Sequence, residues 1–313
     1  MSRNRWRRAL ALTLSVGLVG ALAACGDDDD SEGTTDDTTA VEGSTIRIAP
    51  QDFNEAKVLT EVYAQYLEAE GFEVDLQAPN GFRDQVYPDL ENDDLDLIID
   101  YTGSAVLFLN PDADPPSDAD EAHAALQAEL SGRGLTAANY AQAEDKNALV
   151  ALKTFTDENQ ITNISDLAKL GTVNLVGAED CRNRIDCLLG YTDPAIYGLD
   201  VDFTAVAYGP PLVEALDAGT AHVAQYGSTA PEVASGKLVV LTDDKGILTA
   251  DNVVPVLRSE IAEEYDGALT AALDDLSALI TTEDLLEWAV ATDVDLEEPA
   301  DIATAWLEEK DLI

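Results

Sequence analysis

The sequence is poor in basic side chains: its 313 residues include 17 Lys and Arg against 62 Asp and Glu, a net charge of −45. Proteins that bind nucleic acid neutralise phosphates with clustered lysines and arginines. This composition therefore argues against a nucleic-acid partner. The acidity itself promotes solubility and carries little information about fold.

Histidine and cysteine are also scarce. The two histidines, His123 and His222, lie in unrelated segments, which argues against a zinc site. A nucleophile elbow and a Gly-rich phosphate loop are missing too. We therefore predict a protein that is not an enzyme and that has no metal or cofactor. A lipoprotein hydrolase using paired acids is the alternative, but acids fall close together by chance in such a composition.

The N-terminus has the pattern of a secreted lipoprotein. Four arginines precede an apolar segment, Ala9 to Ala24, whose 16 residues are fewer than the roughly 20 of a membrane span. The segment ends in "LAAC", which resembles a bacterial lipobox. Residues 1–25 are then the signal peptide and Cys25 the lipidated first mature residue, since two acyl chains anchor a protein durably. This places the protein on the outer face of the cytoplasmic membrane, attached through the lipid alone. An ordinary signal peptide with a chance cysteine is the alternative.

Residues 26–44 contain eight acidic residues and no basic one. Such a segment buries too little apolar surface to offset its ordering entropy, so we predict a disordered tether. A calcium site is the alternative, but the spacing and glycine of a calcium loop are lacking.

The remaining 269 residues suffice for one large domain or two lobes. They contain Cys181 and Cys187 in "CRNRIDC", a close pair that outside the cytoplasm favours a disulfide over a reduced or metal-bound pair.

Strand-like and helix-like segments alternate from Thr45 onward, which indicates an α/β fold. A chain that leaves one lobe near residue 150 and returns near residue 253 would form two lobes with a cleft between them. We predict lobe I at 45–150 plus 253–313 and lobe II at 151–252. The predicted helices include Asn54 to Glu70, Arg83 to Leu90, Ile164–Leu170 and Pro194–Tyr197, and the chain from Ser259 onward is expected to be helical.

The stretch "DLDLIIDYTGSAV", Asp94 to Val106, changes character at its centre. A buried aliphatic strand, Leu97 to Ile99, is followed by aromatic and small polar residues. This is either a plain strand-to-helix turn or a ligand site at the carboxyl end of a strand, where open α/β sheets bind ligands.

Several stretches, in order, resemble the substrate-binding proteins of glycine betaine/choline/proline-type ABC transporters. They include "IAPQDFNEAKVLTEVYAQYLEAEGFEV", "LIIDYTGSAV", "EDCRNRIDCLLG", "YGPPLVEALDAGTAHVAQYGSTAPEV" and "NVVPVLRSE". The resemblance covers Thr45 to Ile313. It implies a type II periplasmic-binding-protein fold: two α/β lobes joined by two crossovers, closing on a ligand in the cleft between them. It also implies a monomer that delivers a small solute to a permease and ATPase complex.

The resemblance also implies ligand contacts. Family members that bind betaine box the trimethylammonium with tyrosines through cation–π attraction and hold the carboxylate with basic and hydroxyl groups. The first box position falls on Tyr101, and the other three fall on Asn147, on Gly227 beside Tyr226, and on Asp251, so that three box aromatics are missing. The further candidate ligand contacts are Ser104, Arg184, Gln51 and Ser228.

The incomplete box suggests a different solute. Asp251 and Asn147 offer oxygen acceptors that suit an ammonium bearing N–H groups, whereas a trimethylammonium has no N–H to donate. The hypothesis is that the site prefers a zwitterion with a protonated amine, or another polar solute, over glycine betaine. Arg184 would fork onto the carboxylate and Asp251 would face the amine. The expected function is capture of a zwitterionic or quaternary-ammonium compatible solute for an ABC importer; a sensory or adhesion lipoprotein without transport is the remaining alternative.

Overall fold

A computed structural model describes Val41 and residues 43–313 of the chain. Cys25 and the predicted signal peptide lie outside the described residues, as does the tether apart from Val41, Gly43 and Ser44. Within the described residues, no helix has the length and apolar character needed to cross a bilayer.

The strands form two five-stranded mixed sheets. The first sheet has the order β2-β1-β3-β10-β4, and the second has the order β7-β6-β8-β5-β9. In both, three parallel strands are joined by one antiparallel strand that pairs with an edge strand. The strands are β1 (Ile46–Ile48), β2 (Val74–Leu76), β3 (Leu97–Tyr101), β4 (Leu135–Ala137), β5 (Asn147–Leu152), β6 (Thr172–Gly177), β7 (Asp200–Ala205), β8 (Val223–Gly227), β9 (Leu238–Val240) and β10 (Val253–Arg258).

Helices cover both faces of each sheet, which is why β3, β8 and most of β10 are buried along their length. Two segments, Ile164–Leu170 and Glu179–Asn183, are 3₁₀-helical. The α-helices are α1 (Asn54–Ala69), α2 (Arg83–Glu91), α3 (Thr102–Leu109), α4 (Ala119–Ser131), α5 (Lys153–Asn159), α6 (Leu188–Thr192), α7 (Pro210–Asp217), α8 (Pro231–Ala234), α9 (Ser259–Glu264), α10 (Ala268–Ser277), α11 (Thr282–Asp293) and α12 (Pro299–Glu309).

We call the first sheet with its helices lobe I and the second sheet with its helices lobe II. In lobe I, α1 and α9–α12 pack on one face of the sheet and α2–α4 on the other. In lobe II, the disulfide-bonded pair Cys181 and Cys187 lies in the core on one face, and α7 packs on the other. The predicted two-lobed α/β fold is confirmed.

Two crossovers join the lobes. The outgoing crossover runs from β4 to β5 and the return crossover from β9 to β10. They pair with each other: Asp145 N donates to Asp251 O at 3.0 Å, and Val253 N donates to Ala143 O at 3.0 Å. Strand β5 belongs wholly to the second sheet, so the chain changes sheets before Asn147, whereas the sequence suggested a change near residue 150.

Several local predictions differ from the structure. Pro194–Tyr197 is a turn and not a helix; the helix of this region is α6, just before it. Ile164–Leu170 forms a 3₁₀-helix, at whose start Asn163 N donates a hydrogen bond to Asp166 Oδ2 at 2.9 Å. Strand β4 was not predicted from the sequence, and its place in the sheet depends on pairing with β10.

Candidate functional site

A cleft of about 490 Å³ lies between the two lobes. Lobe I contributes the segment that enters α1 and the C-terminal end of α11, and lobe II contributes the segments around the starts of α7 and α8. The outgoing crossover contributes Asp145. The lining residues used below are Asp52, Phe53, Glu55, Lys57, Asp145, Tyr208, Tyr226, Thr229, Glu232, Thr292 and Asp293.

Glu55, in the first turn of α1, connects the two lobes. Its Oε1 accepts a hydrogen bond from the Tyr101 hydroxyl of lobe I. Its Oε2 accepts one from the Thr229 hydroxyl of lobe II at 2.8 Å. Burial and the neighbouring Asp145 carboxylate raise the pKa of Glu55 to about 8.

Asp145 lies on the outgoing crossover and is held by the loop that follows β8. Its Oδ1 accepts hydrogen bonds from Thr229 N and from the Ser228 hydroxyl, each at 3.2 Å. Burial raises the pKa of Asp145 to about 6, although these hydrogen bonds act in the opposite direction. Thr229 therefore donates to both carboxylates, with its hydroxyl to Glu55 and its amide to Asp145.

Aromatic side chains form part of the cleft wall. The rings of Tyr208 and Tyr226 meet at 57° with centroids 5.1 Å apart. Phe53 borders the cleft from lobe I and packs against Tyr101 at 6.3 Å. Tyr208 retains 59% of its accessible surface, so its ring is available to a solute.

Gly227 makes room for this wall. A Cβ at this position would lie 3.0 Å from the Tyr208 hydroxyl oxygen and 3.3 Å from Asp145 Oδ1. The Gly227 amide donates to that hydroxyl oxygen at 3.1 Å. Because Gly227 has no side chain, the Tyr208 hydroxyl can occupy the space beside it. Tyr208 belongs to the loop before α7.

The cleft lining is rich in acidic residues. Five of the lining residues are acidic, Asp52, Glu55, Asp145, Glu232 and Asp293, and Lys57 is the basic one among them. The ammonium of Lys57 is 3.0 Å from Asp52 Oδ1. This ion pair partly neutralises the charge of Lys57. A cationic group therefore suits the cleft better than an anionic one.

The structure places the predicted Tyr101 and Ser104 below the cleft rather than on its lining. Tyr101 is buried, and its hydroxyl holds Glu55. Ser104, in the first turn of α3, bonds Asp251 twice, through its amide at 2.6 Å and its hydroxyl at 2.8 Å. The stretch that follows β3 therefore supports the site from beneath.

Asp251 is 0% exposed, and the Thr249 hydroxyl also donates to it, at 2.9 Å. Both carboxylate oxygens of Asp251 thus accept hydrogen bonds from Ser104 or Thr249. The expected contact between Asp251 and a solute amine finds no support in this geometry, and Asp251 is not among the five acidic residues that line the cleft.

Gln51 is buried and serves a second polar network. Its amide donates to Asp100 Oδ1 at 3.0 Å, beside the guanidinium of Arg83 at 2.7 Å from the same oxygen. The Tyr87 hydroxyl donates to the other oxygen of Asp100 at 3.0 Å. This network holds the side chain of Gln51 against the end of β3, and Gln51 is not among the cleft-lining residues.

Arg184 is paired with acids of its own loop. Its Nε donates to Asp186 Oδ1 at 3.0 Å, its second nitrogen to Asp186 Oδ2, and a third bond reaches Asp180 Oδ2 at 3.2 Å. Asp186 is 2% exposed in its side chain, so it needs this partner. The fork predicted for a solute carboxylate is used within the protein, and Arg184 is not among the cleft-lining residues.

The remaining predicted ligand contacts differ in whether they line the cleft. Tyr226 lines the cleft, whereas Asn147 and Ser228 do not. Asn147 opens β5 opposite Gly227, and Ser228 supports Asp145. Phe53, Glu55, Asp145 and Tyr208 line the cleft but are not among the ligand contacts predicted from the sequence.

Comparisons with known proteins agree with this architecture. The family model of the substrate-binding domain of ABC-type glycine betaine transport systems matches residues 44–309. The chain belongs to this family. The family's members are the solute-binding components of ABC transporters, not a class of enzymes.

Individual relatives are distant. The glycine-betaine-binding protein of Pseudomonas aeruginosa is 23% identical over 291 residues, covering 87% of this chain and 90% of that protein. The crystal structure of a glycine betaine/carnitine/choline ABC transporter protein superposes with a TM-score of 0.73 at 22% identity, covering 85% of this chain and 99% of the other. Apo YehZ from Escherichia coli gives a TM-score of 0.70 at 19% identity, covering 87% and 100% of the two chains. At these identities the structural likeness establishes the fold.

Proposed function

We propose that this family member is a lipid-anchored, extracytoplasmic solute receptor of an ABC importer, and that its solute is a small organic ammonium compound. The observation that carries the proposal is the excess of acids lining the cleft, five against a single lysine that is itself paired with Asp52. The lipid anchor and the location rest on the arginine-led leader ending at Cys25.

The aromatic wall suits the cationic end of such a solute. Tyr208 and Tyr226 meet at an angle, and Phe53 lies on the lobe I side of the cleft. A cation over one such ring gains about 0.5 to 2 kcal/mol, the larger value when water is excluded. Lobe closure would exclude that water and bring the acids of both lobes closer to the charge.

A solute carboxylate has little to bind here. Arg184 is engaged with Asp186, and Lys57 is paired with Asp52. A compound with a positive charge and no carboxylate, such as choline, therefore satisfies the lining better than glycine betaine. This choice replaces the zwitterion that the sequence suggested, whose carboxylate and amine were to meet Arg184 and Asp251.

Calorimetric titration of the purified full-length chain tests the proposal. We compare choline, glycine betaine, carnitine, proline and ethanolamine at one pH and salt concentration. Choline is expected to bind at least about tenfold more tightly than glycine betaine, a difference of about 1.4 kcal/mol. Tighter binding of ethanolamine would assign the site to amines that donate N–H groups to Glu55 and Asp145. Tight binding of proline or glycine betaine with none of choline would overturn the proposed solute class.

A further inference from the structure

The carboxyl groups of Glu55 and Asp145 both accept hydrogen bonds from Thr229 of lobe II. The Thr229 hydroxyl donates to Glu55 of lobe I at 2.8 Å, and the Thr229 amide donates to Asp145 at 3.2 Å. Asp145 is also part of the hinge, because its own amide donates to Asp251 O on the return crossover at 3.0 Å. The charge state of this pair thus bears directly on the contact between the lobes.

Neither carboxylate has a basic partner within the part of the chain that the structure describes. Lys57, one turn of α1 beyond Phe53, pairs with Asp52 at 3.0 Å. Lys146, the residue after Asp145, pairs with Glu144 at 2.9 Å. All the hydrogen bonds that reach Glu55 and Asp145 come from neutral donors.

Apart from Lys57 and Lys146, which are paired with other acids, the charged groups near Glu55 and Asp145 are acidic. Asp293 at the end of α11 adds to the repulsion at Glu55, and Asp251 on the return crossover adds to it at Asp145. From lobe II, the cleft presents Glu232 at α8 and the neutral phenols of Tyr208 and Tyr226. The titratable and charged groups facing the pair are Asp52, Lys57, Tyr101, Glu144, Lys146, Tyr208, Tyr226, Glu232, Asp251 and Asp293.

Two partly buried acids in contact with the same residue and lacking a counter-ion cannot both ionise cheaply. Burial and the Asp145 carboxylate raise the pKa of Glu55 to about 8, and burial and the Asp251 carboxylate raise the pKa of Asp145 to about 6. At neutral pH the empty cleft then keeps a proton on Glu55. The Thr229 hydroxyl can accommodate it, since a hydroxyl can accept as well as donate.

We propose that Glu55 and Asp145 hold a proton that leaves when the cationic solute enters, so that solute binding is coupled to proton release at the hinge. This rests on the proposed function, because only a cationic solute supplies the missing counter-charge. The O–H bond of the Glu55 carboxyl group breaks and its proton passes to a buffer base, while the solute brings one positive charge, so the net charge of the site is unchanged. Release approaches one proton per solute at pH values between the pKa of Glu55 in the solute complex and its pKa of about 8 without solute, and it vanishes above the higher value.

Calorimetry with choline in buffers of different ionisation enthalpy, such as phosphate and Tris, counts the protons at pH 7. We expect a measured enthalpy that varies linearly with the buffer's ionisation enthalpy, with a slope close to one released proton. The association constant should rise by up to about tenfold per pH unit between pH 6 and 8 and level off above. Glu55→Gln should bring the slope close to zero and flatten the pH profile.

Glu68→Gln is the matched control, since Glu68 lies on the same helix, is exposed and makes no side-chain hydrogen bond in the described structure. It should retain the proton release of the unaltered protein. Choline binding without proton release at pH 7 would overturn this inference and leave the proposed function intact. If none of the ammonium compounds binds, the proposed function fails and the inference fails with it. The buffer series on the unaltered protein decides the matter even if Glu55→Gln does not fold.

Discussion

Thr229 of lobe II donates its hydroxyl to Glu55 of lobe I across the cleft, at 2.8 Å. This bond joins the first turn of α1 to the loop before α8. It exists only when the lobes are close enough for the two side chains to meet. It therefore ties the separation of the lobes to the residue that faces the solute.

Removing the Thr229 hydroxyl should weaken solute binding. Thr229→Val keeps the shape and the amide but leaves Glu55 with Tyr101 as its donor. The loss of one hydrogen bond to a carboxyl group is expected to raise the dissociation constant for choline about threefold to tenfold, roughly 1 kcal/mol. Calorimetric titration measures the change. Thr154→Val on the exposed first turn of α5 is the control, and equal affinities of the two variants would contradict a binding role for the cross-lobe bond.

The exposed ring of Tyr208 should carry part of the affinity. Tyr208→Ala removes one aromatic face, and we expect choline to bind roughly 2- to 30-fold more weakly, in line with about 0.5–2 kcal/mol for a cation over a ring. Tyr208→Phe keeps the ring and loses only the acceptor for the Gly227 amide, so its loss should be smaller. The two dissociation constants are compared by calorimetry, and similar losses in both variants would show that the hydroxyl and not the ring matters.

Stability in the absence of solute should fall as the pH rises, in part because of Glu55. Its folded pKa of about 8 lies above the unfolded value of roughly 4.3, so the folded state binds the extra proton between these values. The contribution is fully present below about pH 4 and is lost as the pH rises through 8. Urea denaturation from pH 5 to 9 should show Glu55→Gln losing less stability than the unaltered protein. Parallel profiles for the two would contradict the raised pKa, and Glu68→Gln should follow the unaltered protein.

Asp251 should matter for stability. Its oxygens accept three hydrogen bonds from Ser104 and Thr249, and it is fully buried. Asp251→Asn turns one oxygen into a donor facing donors, which should lower the free energy of unfolding by about 1–3 kcal/mol. Denaturant unfolding at pH 7 measures this. Unchanged stability together with loss of choline binding would restore the direct ligand role that the sequence suggested.

The leader predicts lipidation at Cys25. The unaltered protein, expressed in a bacterium with a lipoprotein pathway, should yield an N-terminal peptide whose mass includes a diacylglycerol on Cys25. Cys25→Ala should lack it, and should no longer partition into the detergent phase. Mass spectrometry of the N-terminal peptide reads the outcome directly. An unmodified cysteine in a cleaved protein would instead indicate an ordinary signal peptide.

Much of the secondary structure follows from local pattern. The predicted helix from Asn54 to Glu70 coincides with α1, since its apolar face repeats at helical spacing through Val58, Val62 and Tyr66. Strand β4 was not predicted from the sequence. Its place in the sheet depends on pairing with β10, far along the chain. The local hydrophobic periodicity of the sequence does not show such a long-range pairing.

From the sequence alone, we predicted the family and the α/β class, and the acidic composition argued against a nucleic-acid partner. The sequence could not tell which acids and which bases already have partners. Asp100 and Asp186 are paired with arginines, whereas Glu55 and Asp145 receive only neutral donors. The bond from Thr229 to Glu55 joins residues 174 positions apart, so it exists only once the lobes pack. Tertiary structure decided which carboxylates stay uncompensated at the cleft, because a carboxylate's charge is neutralised by the groups that reach it in space and not by its neighbours in sequence.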